Sequence, residues 1–156
     1  PAQMIDDVNI SSTKIRYALS DGDIVSANAS LGYNFFINGD VVKGNNRGRS
    51  LGFPTANIEL GHAEKILPKQ GVYAVKVETK AASFSGMLNI GVNPTFGDSN
   101  KLSIEVNLFD FDEDLYGQKI RVFFNERIRN EMRFESVEEL SNQMKNDKEI
   151  ALQMLK

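Results

Sequence analysis

Hydrophobic and polar residues alternate with a period of two in several short runs through the middle of the chain, a pattern typical of β-strands. The first two runs flank Asn38-Gly39, a pair that favours a tight hairpin because both turn positions need a positive φ. Further strands are predicted at residues 72–78, 84–90, 103–109 and 119–124. Five or six short strands with turn-forming clusters between them, and no interleaved helix, predict an antiparallel barrel or sandwich.

Helical patterns occupy the N-terminal part of the chain. Residues 11–13 predict the N-cap of a short helix that ends at Gly22. Asp23 predicts the N-cap of a second helix over residues 24–31, which Gly32 ends. Isolated helices this short are marginal in water, so we expect both to pack on the strands.

The C-terminal part also has a helical pattern. Ser136 and Glu139 have the spacing of a capping box, in which each side chain bonds a backbone N–H at the start of the helix. The residues at core spacing in this helix are Val137, Leu140 and Met144. Asp147 predicts the cap of a last helical segment, whose apolar residues are Ile150, Leu152 and Leu155.

Composition narrows the class of protein. The 156 residues suffice for one domain with a proper core, and the net charge of −3 argues against a dedicated nucleic-acid binder. The absence of cysteine and the single histidine, His62, exclude disulfides, thiolate metal sites and His-rich metal sites. No apolar run approaches the roughly 20 residues that cross a bilayer. We therefore expect a cytoplasmic protein with neither a membrane nor a nucleic acid as its partner.

Candidate chemistry begins in KGNNRGRSLGFPTAN, residues 43–57. The cations Lys43, Arg47 and Arg49 alternate there with Gly44, Gly48 and Gly52. Glycine lets backbone N–H groups approach an anion closely and the cations neutralise it, so the pairing suits a polyphosphate. The spacing lacks the Gly-Lys-Ser/Thr ending of a P-loop. On charge and glycine alone, a solvated basic loop is the favoured alternative.

The same stretch ends in two oxygen-bearing side chains, those of Thr55 and Asn57. In an extended segment these side chains face the same side. Hydroxyl and amide oxygens suit Mg²⁺, but two neutral ligands bind it weakly, so such a site works only with nucleotide phosphates present. The alternative is a Thr–Asn pair that satisfies backbone groups beside a proline turn.

Glu105 lies on the polar face of the predicted strand SIEVNLF, whose other face carries Ile104, Val106 and Leu108. A solvated glutamate is the favoured reading of any single carboxylate. If this face opens toward the glycine-rich loop, Glu105 becomes a candidate general base for an attacking hydroxyl.

A third group of candidates lies in IRNEMRF, residues 128–134, where Arg129, Met132 and Phe134 could together hold a flat, partly polar ring. A surface loop that packs Phe134 on the barrel is the favoured alternative. The acidic run between residues 110 and 114 is better explained as a solvated loop than as a metal site.

Five ordered motifs resemble one family. GRSLGFPTAN, GVYAV, LNIGVNPTF, IEVNLFDFDEDLYG and R-x-E-x-x-F resemble the kinase half of bacterial bifunctional riboflavin kinase/FAD synthetases, from Tyr33 to the C-terminus. ISSTKIR, residues 10–16, resembles the motif that closes the FMN adenylyltransferase half. The resemblance implies that residues 1–22 are the tail of a missing, covalently linked adenylyltransferase domain with a linker helix. Residues 23–156 would form the riboflavin kinase domain, and FAD synthesis would be absent.

The resemblance also implies a mainly β fold, a six-stranded antiparallel Greek-key β-barrel with a C-terminal helix and short N-terminal helices. The implied reaction is transfer of the γ-phosphate of ATP to riboflavin, giving FMN and ADP, with Glu105 as the catalytic base. Thr55 and Asn57 match positions that hold Mg²⁺ and the ATP phosphates. The other implied ATP-binding positions are Gly44, Arg49, Asn107, Leu108, Asp110 and Tyr116. The implied flavin-binding positions are Arg129, Met132 and Phe134.

The sequence departs from the family pattern at a few contact positions. Asn107 stands where many members have histidine, and Met132 where lysine or glutamine is common; lysine is frequent near the position of Arg49. These departures concern details of contact and not the reaction. The alternative is a β-barrel module that binds nucleotide or flavin without catalysis, against which the presence of Thr55, Asn57 and Glu105 argues.

Overall fold

The computed structural model describes residues 2–42, 55–61, 66–93, 101–111 and 113–156, with the backbone alone at 2–11, 93 and 101. Three helices and six strands lie within these ranges. In chain order they are α1 Ala2–Asp21, α2 Ile24–Leu31, β1 Phe36–Val42, β2 Thr55–Leu60, β3 Gly71–Glu78, β4 Ser83–Asn93, β5 Lys101–Leu108, β6 Lys119–Arg129 and α3 Val137–Met154. Within the described ranges, no helix combines the length and the apolar character needed to span a membrane.

The six described strands close into an antiparallel barrel in the order β1-β2-β5-β4-β3-β6. Strands β3, β4 and β5 pair in succession, and β2, the strand that precedes them in the chain, lies beside β5. This is a Greek-key arrangement. Each of the six described strands therefore has a paired neighbour on both sides, although β2 and β5 pair only over residues 55–57 and 105–107. The structure confirms the predicted six-stranded barrel with its C-terminal helix.

The barrel interior is filled by the apolar residue of each alternating pair. Its fully buried members include Ile37, Val75, Leu88, Val106, Val122 and Phe124. Leu19 of α1 and Ile24 of α2 belong to the same core, at the barrel end where β1 and β3 begin. Asn28 ties α2 to this end, donating from Nδ2 to the Phe124 carbonyl at 2.9 Å and accepting from the Phe35 N–H at 2.7 Å. The C-terminal part of α1 and the eight-residue α2 therefore cover one end of the barrel, which gives the short α2 the surface it needs to pack on.

Helix α3 packs on the outside of the barrel. Its Ala151 lies in a second apolar cluster with outward-facing barrel residues. The barrel members of this cluster are Val72, Ala74, Met87 and Phe109. One sector of the outer wall is thus covered by α3, and the polar groups described below lie beside this sector.

The predicted hairpin turn at Asn38-Gly39 is wrong, because β1 runs unbroken through both residues. Gly39 pairs with Leu60 on one side and with Ile120 on the other. A Cβ on Gly39 would lie 2.4 Å from Ile58 Cγ2 and 2.8 Å from the Glu59 carbonyl oxygen. Glycine is needed here for the close approach of β2 and the Ile58 side chain, not for a turn.

We expect Gly39→Ala to lower the free energy of unfolding by about 1–3 kcal/mol, since the added methyl group overpacks the barrel against fixed backbone. Gly61→Ala is the matched control, because no atom of the described residues lies within 4 Å of a Cβ built there. Urea denaturation of both variants measures the difference. Equal stability of the two would show that β1 and β2 can separate without loss.

The helix boundaries differ in part from those predicted. Asp23 caps α2 by accepting from the Ser26 N–H at 3.1 Å, and hydrogen bonding by Ser26 lowers the pKa of the Asp23 carboxyl. Gly32 ends α2 with φ 80°, so both predicted limits of α2 are confirmed. Helix α1 instead begins at Ala2, so the predicted cap at residues 11–13 is wrong. Once a helix is nucleated, each further residue adds a hydrogen bond, so these polar residues lie within the helix.

The C-terminal helix is a single element. Ser136 Oγ accepts from the Glu139 N–H at 3.1 Å, which confirms the predicted cap. The Glu139 carboxylate accepts from the Glu135 N–H at 3.2 Å, one residue before the capping-box partner. The predicted second cap at Asp147 is wrong, because α3 continues through it and Asp147 is buried against the barrel.

Candidate active site

The outer wall of the barrel carries a polar patch where β2, β5 and β4 lie side by side. On β5, Ile104, Val106 and Leu108 belong to the core, so the residues between them face outward. The register places Thr55 opposite Asn107 and Asn57 opposite Glu105. Asn89 of β4 lies opposite Glu105 on the other side. We call these five residues, Thr55, Asn57, Asn89, Glu105 and Asn107, the outer polar patch.

Directly opposite residues in an antiparallel pair have Cβ atoms about 4.5–5.5 Å apart, so these side chains are neighbours. Asn107 is 4% exposed, and the other four residues of the patch are half-buried. Partial burial lowers the effective dielectric constant, which strengthens the interaction of polar groups with a charged ligand. The patch therefore offers oxygen and amide groups to a ligand in a setting less screened than open surface.

Close packing of β4 and β5 holds this patch in place. A Cβ on Gly86 would lie 2.5 Å from the backbone carbonyl oxygen of Asn107. Glycine at this position lets β4 approach β5 closely enough to keep the ladder between them. The position of the Asn107 backbone beside β4 therefore depends on Gly86.

The glycine-rich stretch lies outside the described residues from 43 to 54, and with it the candidates Gly44 and Arg49. The described residues that flank it are Val42, the last of β1, and Thr55, the first of β2. Val42 lies opposite Asn57. Of these two flanking residues, Thr55 belongs to the outer polar patch and Val42 lies beside it.

The remaining nucleotide-site candidates follow or end β5. The Leu108 side chain is buried in the core, so a ligand could contact only its backbone. Asp110 is exposed and has φ 56°, in the left-handed region, where the chain turns away from the strand. Tyr116 is also exposed, and its N–H donates to Asp114 Oδ1 at 2.8 Å. Leu108 and Asp110 lie at the barrel end where β2 begins, the end that also holds Thr55.

The flavin-site candidates lie at the opposite end of the barrel, where β6 ends. The Arg129 guanidinium forms a bidentate ion pair with Asp147 of α3, with Nε–Oδ1 at 2.9 Å and Nη2–Oδ2 at 2.8 Å. Its Nη1 donates to the Asn130 carbonyl at 2.9 Å, and its Cζ lies 5.9 Å from the centroid of the Phe134 ring. The structure brings Arg129 and Phe134 together, whereas Met132 is largely exposed. Much of the charge of Arg129 is already neutralised by Asp147.

Sequence reasoning missed the roles of two side chains: Asp147, which pairs with Arg129, and Asn89, which lies opposite Glu105. Asp147 occurs at helical spacing with Leu140, Met144 and Ala151, and a carboxylate on an apolar stripe indicates a buried partner. Asn89 sits in the quoted motif LNIGVNPTF on the outward side of a predicted strand. Only the register with β5 distinguishes it from a solvated asparagine.

The outer polar patch has the donor chemistry of a magnesium site that is completed by phosphate. Thr55 Oγ1 and Asn57 Oδ1 are hard oxygen atoms, and the Glu105 carboxylate lies on the neighbouring strand. Over the described ranges, no cluster of three or more His, Cys, Asp or Glu side chains could hold a metal by itself. The residues present therefore fit an ion that keeps water and shares the oxygens of a polyphosphate.

Comparison with known proteins gives a family. Residues 31–155 match the family model described as Flavokinase: Riboflavin kinase. The chain is 46% identical over 148 residues to the bifunctional riboflavin kinase/FMN adenylyltransferase of Bacillus subtilis, covering 94% of this chain and 46% of the relative. The protein of the same description from Haemophilus influenzae is 45% identical over 148 residues, covering 94% and 47%. The chain thus spans about half the length of the curated relatives it matches.

Two solved structures resemble the fold. Riboflavin kinase from Trypanosoma brucei matches with a TM-score of 0.53 and 26% identity, over 77% of this chain and 76% of that chain. A Streptococcus pneumoniae structure described as a macrolide-efflux protein matches with a TM-score of 0.83 and 41% identity, over 90% of this chain and 45% of that chain. The two descriptions disagree. The family match and both bacterial relatives agree with the trypanosomal description.

Proposed function

The chain belongs to the riboflavin kinase family, and from this premise we propose that it transfers the γ-phosphoryl group of ATP to the 5′-hydroxyl of riboflavin. The products are FMN and ADP. The observation that carries the proposal is the pairing of Asn57 with Glu105 across β2 and β5. It puts a candidate phosphate-and-metal ligand beside a candidate base, which phosphoryl transfer to a hydroxyl requires.

The ATP end of the site lies where β2 begins. Thr55 and Asn57 would hold Mg²⁺ together with the phosphate oxygens, and the ion neutralises charge on the transferred group. Asn107, opposite Thr55, would contact the nucleotide, as would the backbone of Leu108 and the side chains of Asp110 and Tyr116. Gly44 and Arg49 are assigned to the nucleotide on the sequence alone.

The flavin end lies toward the other end of β5. From Asn107 to Ser103 the strand advances by four residues, or about 13 Å, and Glu105 lies midway between them. Two substrates that approach from opposite ends would therefore meet at Glu105. Its carboxylate would accept the proton of the 5′-hydroxyl as that oxygen attacks phosphorus. Arg129, Met132 and Phe134 would contact the isoalloxazine ring.

The domain boundary and the setting of the chain are also proposals. We assign residues 23–156 to the kinase and residues 1–22 to a linker and the tail of an FMN adenylyltransferase domain, the second activity that the bacterial relatives' names carry. Leu19 packs in the barrel core with Ile24, so the last turn of α1 contributes to the stability of the kinase. The lack of cysteine supports a cytoplasmic protein.

The reaction is tested by incubating the chain with riboflavin, ATP and MgCl₂ and separating FMN from riboflavin by chromatography. We expect FMN in molar excess over the protein, and loss of the product when EDTA removes the metal. A module that only binds flavin or nucleotide would form no FMN, and that result would refute the proposed reaction.

Asn57→Ala is expected to weaken Mg²⁺-dependent ATP binding by roughly 10-fold or more, since one of two protein ligands is lost. Titration calorimetry with a non-hydrolysable ATP analogue, with and without Mg²⁺, measures the change. Asn125→Ala is the matched control, because Asn125 is a half-buried asparagine on β6, across the barrel from β5, bonded to Asn34 at 3.3 Å. Equal Mg²⁺-dependent affinities for the ATP analogue in the two variants would show that Asn57 is not a ligand of the metal.

A further inference from the structure

Asn89 has a buried polar atom that the fold does not explain. Its side-chain Oδ1 is shielded from solvent and accepts no hydrogen bond from the described part of the chain. Buried acceptors without a donor are rare in native proteins because they are costly, so such an atom indicates a donor that arrives with a ligand.

The position of Asn89 indicates which ligand. Leu88 and Ile90 on either side face the core, so Asn89 faces outward, directly opposite Glu105. The next outward position on β4 is Gly91, opposite Ser103. The step from Asn89 to Gly91 is about 6.6 Å along the strand, close to the length of an extended five-carbon chain.

Glu131 lies at the far end of this step. A Cβ on Gly91 would be 1.9 Å from Glu131 Oε1, so the Glu131 carboxylate occupies the space that a side chain at residue 91 would fill. Two acceptor groups therefore follow one another along β4, at Glu131 and Asn89, and a third, the Glu105 carboxylate, lies beside Asn89 on the neighbouring strand. An ionised carboxylate only accepts hydrogen bonds, so a ligand lying along these groups must supply several donors.

We propose that Asn89 Oδ1 and the Glu131 carboxylate bind the inner hydroxyl groups of the ribityl chain and hold the chain extended along β4 with its terminal hydroxyl at Glu105. This inference rests on the proposed function and adds the determinant of side-chain specificity. Each inner hydroxyl donates one hydrogen bond, which matches the row of acceptors, whereas the ring of a flavin carries no such series of donors. The site thus selects a flavin by its polyol chain as well as by its ring.

The test compares riboflavin with an analogue that keeps the ring and the terminal hydroxyl but carries a plain 5-hydroxypentyl chain. Dissociation constants are measured by quenching of flavin fluorescence. The unaltered protein is expected to bind riboflavin at least about 10-fold more tightly than the analogue, because the analogue leaves Asn89 unpaired. Asn89→Ala is expected to weaken riboflavin binding about 10-fold and to change binding of the analogue less than about 2-fold.

Asn125→Ala serves again as the matched control and is expected to leave both affinities unchanged. Asn89→Ser, which keeps an acceptor oxygen in a small side chain, is expected to retain part of the preference and decides the question if Asn89→Ala does not fold. Equal weakening of both flavins in the Asn89 variants, or an unaltered protein that binds both flavins equally, would overturn the inference. FMN formation is assayed separately: a protein that prefers riboflavin but makes no FMN refutes the proposed reaction and supports the ribityl site.

Discussion

Glu105→Gln is expected to lower kcat for FMN formation by about 10²-fold or more, because glutamine keeps the shape of the side chain but cannot take a proton. Glu105 lies between Asn57 and Asn89 in the barrel register, where the two substrates would meet. Binding of riboflavin and of ATP with Mg²⁺ should change little, because neither substrate depends on the base for its position. Steady-state rates at saturating ATP, together with flavin fluorescence titrations, separate the two effects.

Glu126→Gln is the matched control for this prediction. Glu126 is also half-buried and lies on β6, paired with Ala74, on the far side of the barrel from β5. It should retain the full rate. A Glu105→Gln variant that forms FMN at the normal rate would show that Glu105 is not the base. An equal loss of kcat in both variants would indicate a general effect of removing carboxylates.

The Glu105 and Asn89 variants should change different kinetic quantities. Loss of the base slows the chemical step at saturating substrate, whereas loss of a ribityl contact weakens binding of riboflavin. This contrast follows from two neighbouring positions of the outer polar patch having different roles. The carboxylate acts on the hydroxyl that reacts, and the amide acts on hydroxyls that do not.

The barrel could be predicted from the sequence because its determinant is local. On β5, apolar residues alternate with polar ones, and that alternation alone separates Glu105 and Asn107 from the core. The same alternation places Thr55 and Asn57 on one face of β2. The identity of each face could therefore be assigned before the fold was known.

The assembly of the site could not be predicted in this way, because register is a property of two strands that are distant in sequence. That Asn57 lies opposite Glu105 depends on how β2 slides along β5, and a shift of one residue would turn every side chain to the other face. The Asn38-Gly39 error has the same origin. Asn-Gly turns a chain only when the strands on either side pair with each other, and here both sides belong to β1.

Asp147 is the other residue whose role depends on a distant partner. A local pattern made it a helix cap, whereas the fold places it inside α3 against the end of β6. It accepts from two nitrogens of Arg129 and, at 2.9 Å, from Gln143 Nε2. Through Arg129 it reaches Asn130 and Phe134, so α3 supports the segment proposed to contact the flavin.

Asp147→Ala is therefore expected to lower the free energy of unfolding by about 3–5 kcal/mol, since it leaves the Arg129 guanidinium partly buried without its counter-ion. The side chains of Arg129 and Asp147 are 18% and 2% exposed. The control is Asp40→Ala, which breaks the 3.4 Å ion pair between Asp40 and Lys119. The side chain of Asp40 is 49% exposed and that of Lys119 is 88% exposed. Water already screens that pair, so the control should lose no more than about 1 kcal/mol. Urea denaturation of both variants measures the difference.

A double variant separates the missing counter-ion from the lost packing. Asp147→Leu with Arg129→Met removes both charges and keeps apolar volume, so it should be more stable than Asp147→Ala by at least about 2 kcal/mol. Its riboflavin affinity should nevertheless fall, because the hydrogen bond from Arg129 to the Asn130 carbonyl and the contact with Phe134 are lost as well. A double variant that recovers both stability and riboflavin affinity would show that the ion pair is dispensable to the flavin end of the site. Recovered stability with weakened flavin binding would show that the Arg129–Asp147 pair serves the flavin end of the site beyond its effect on stability.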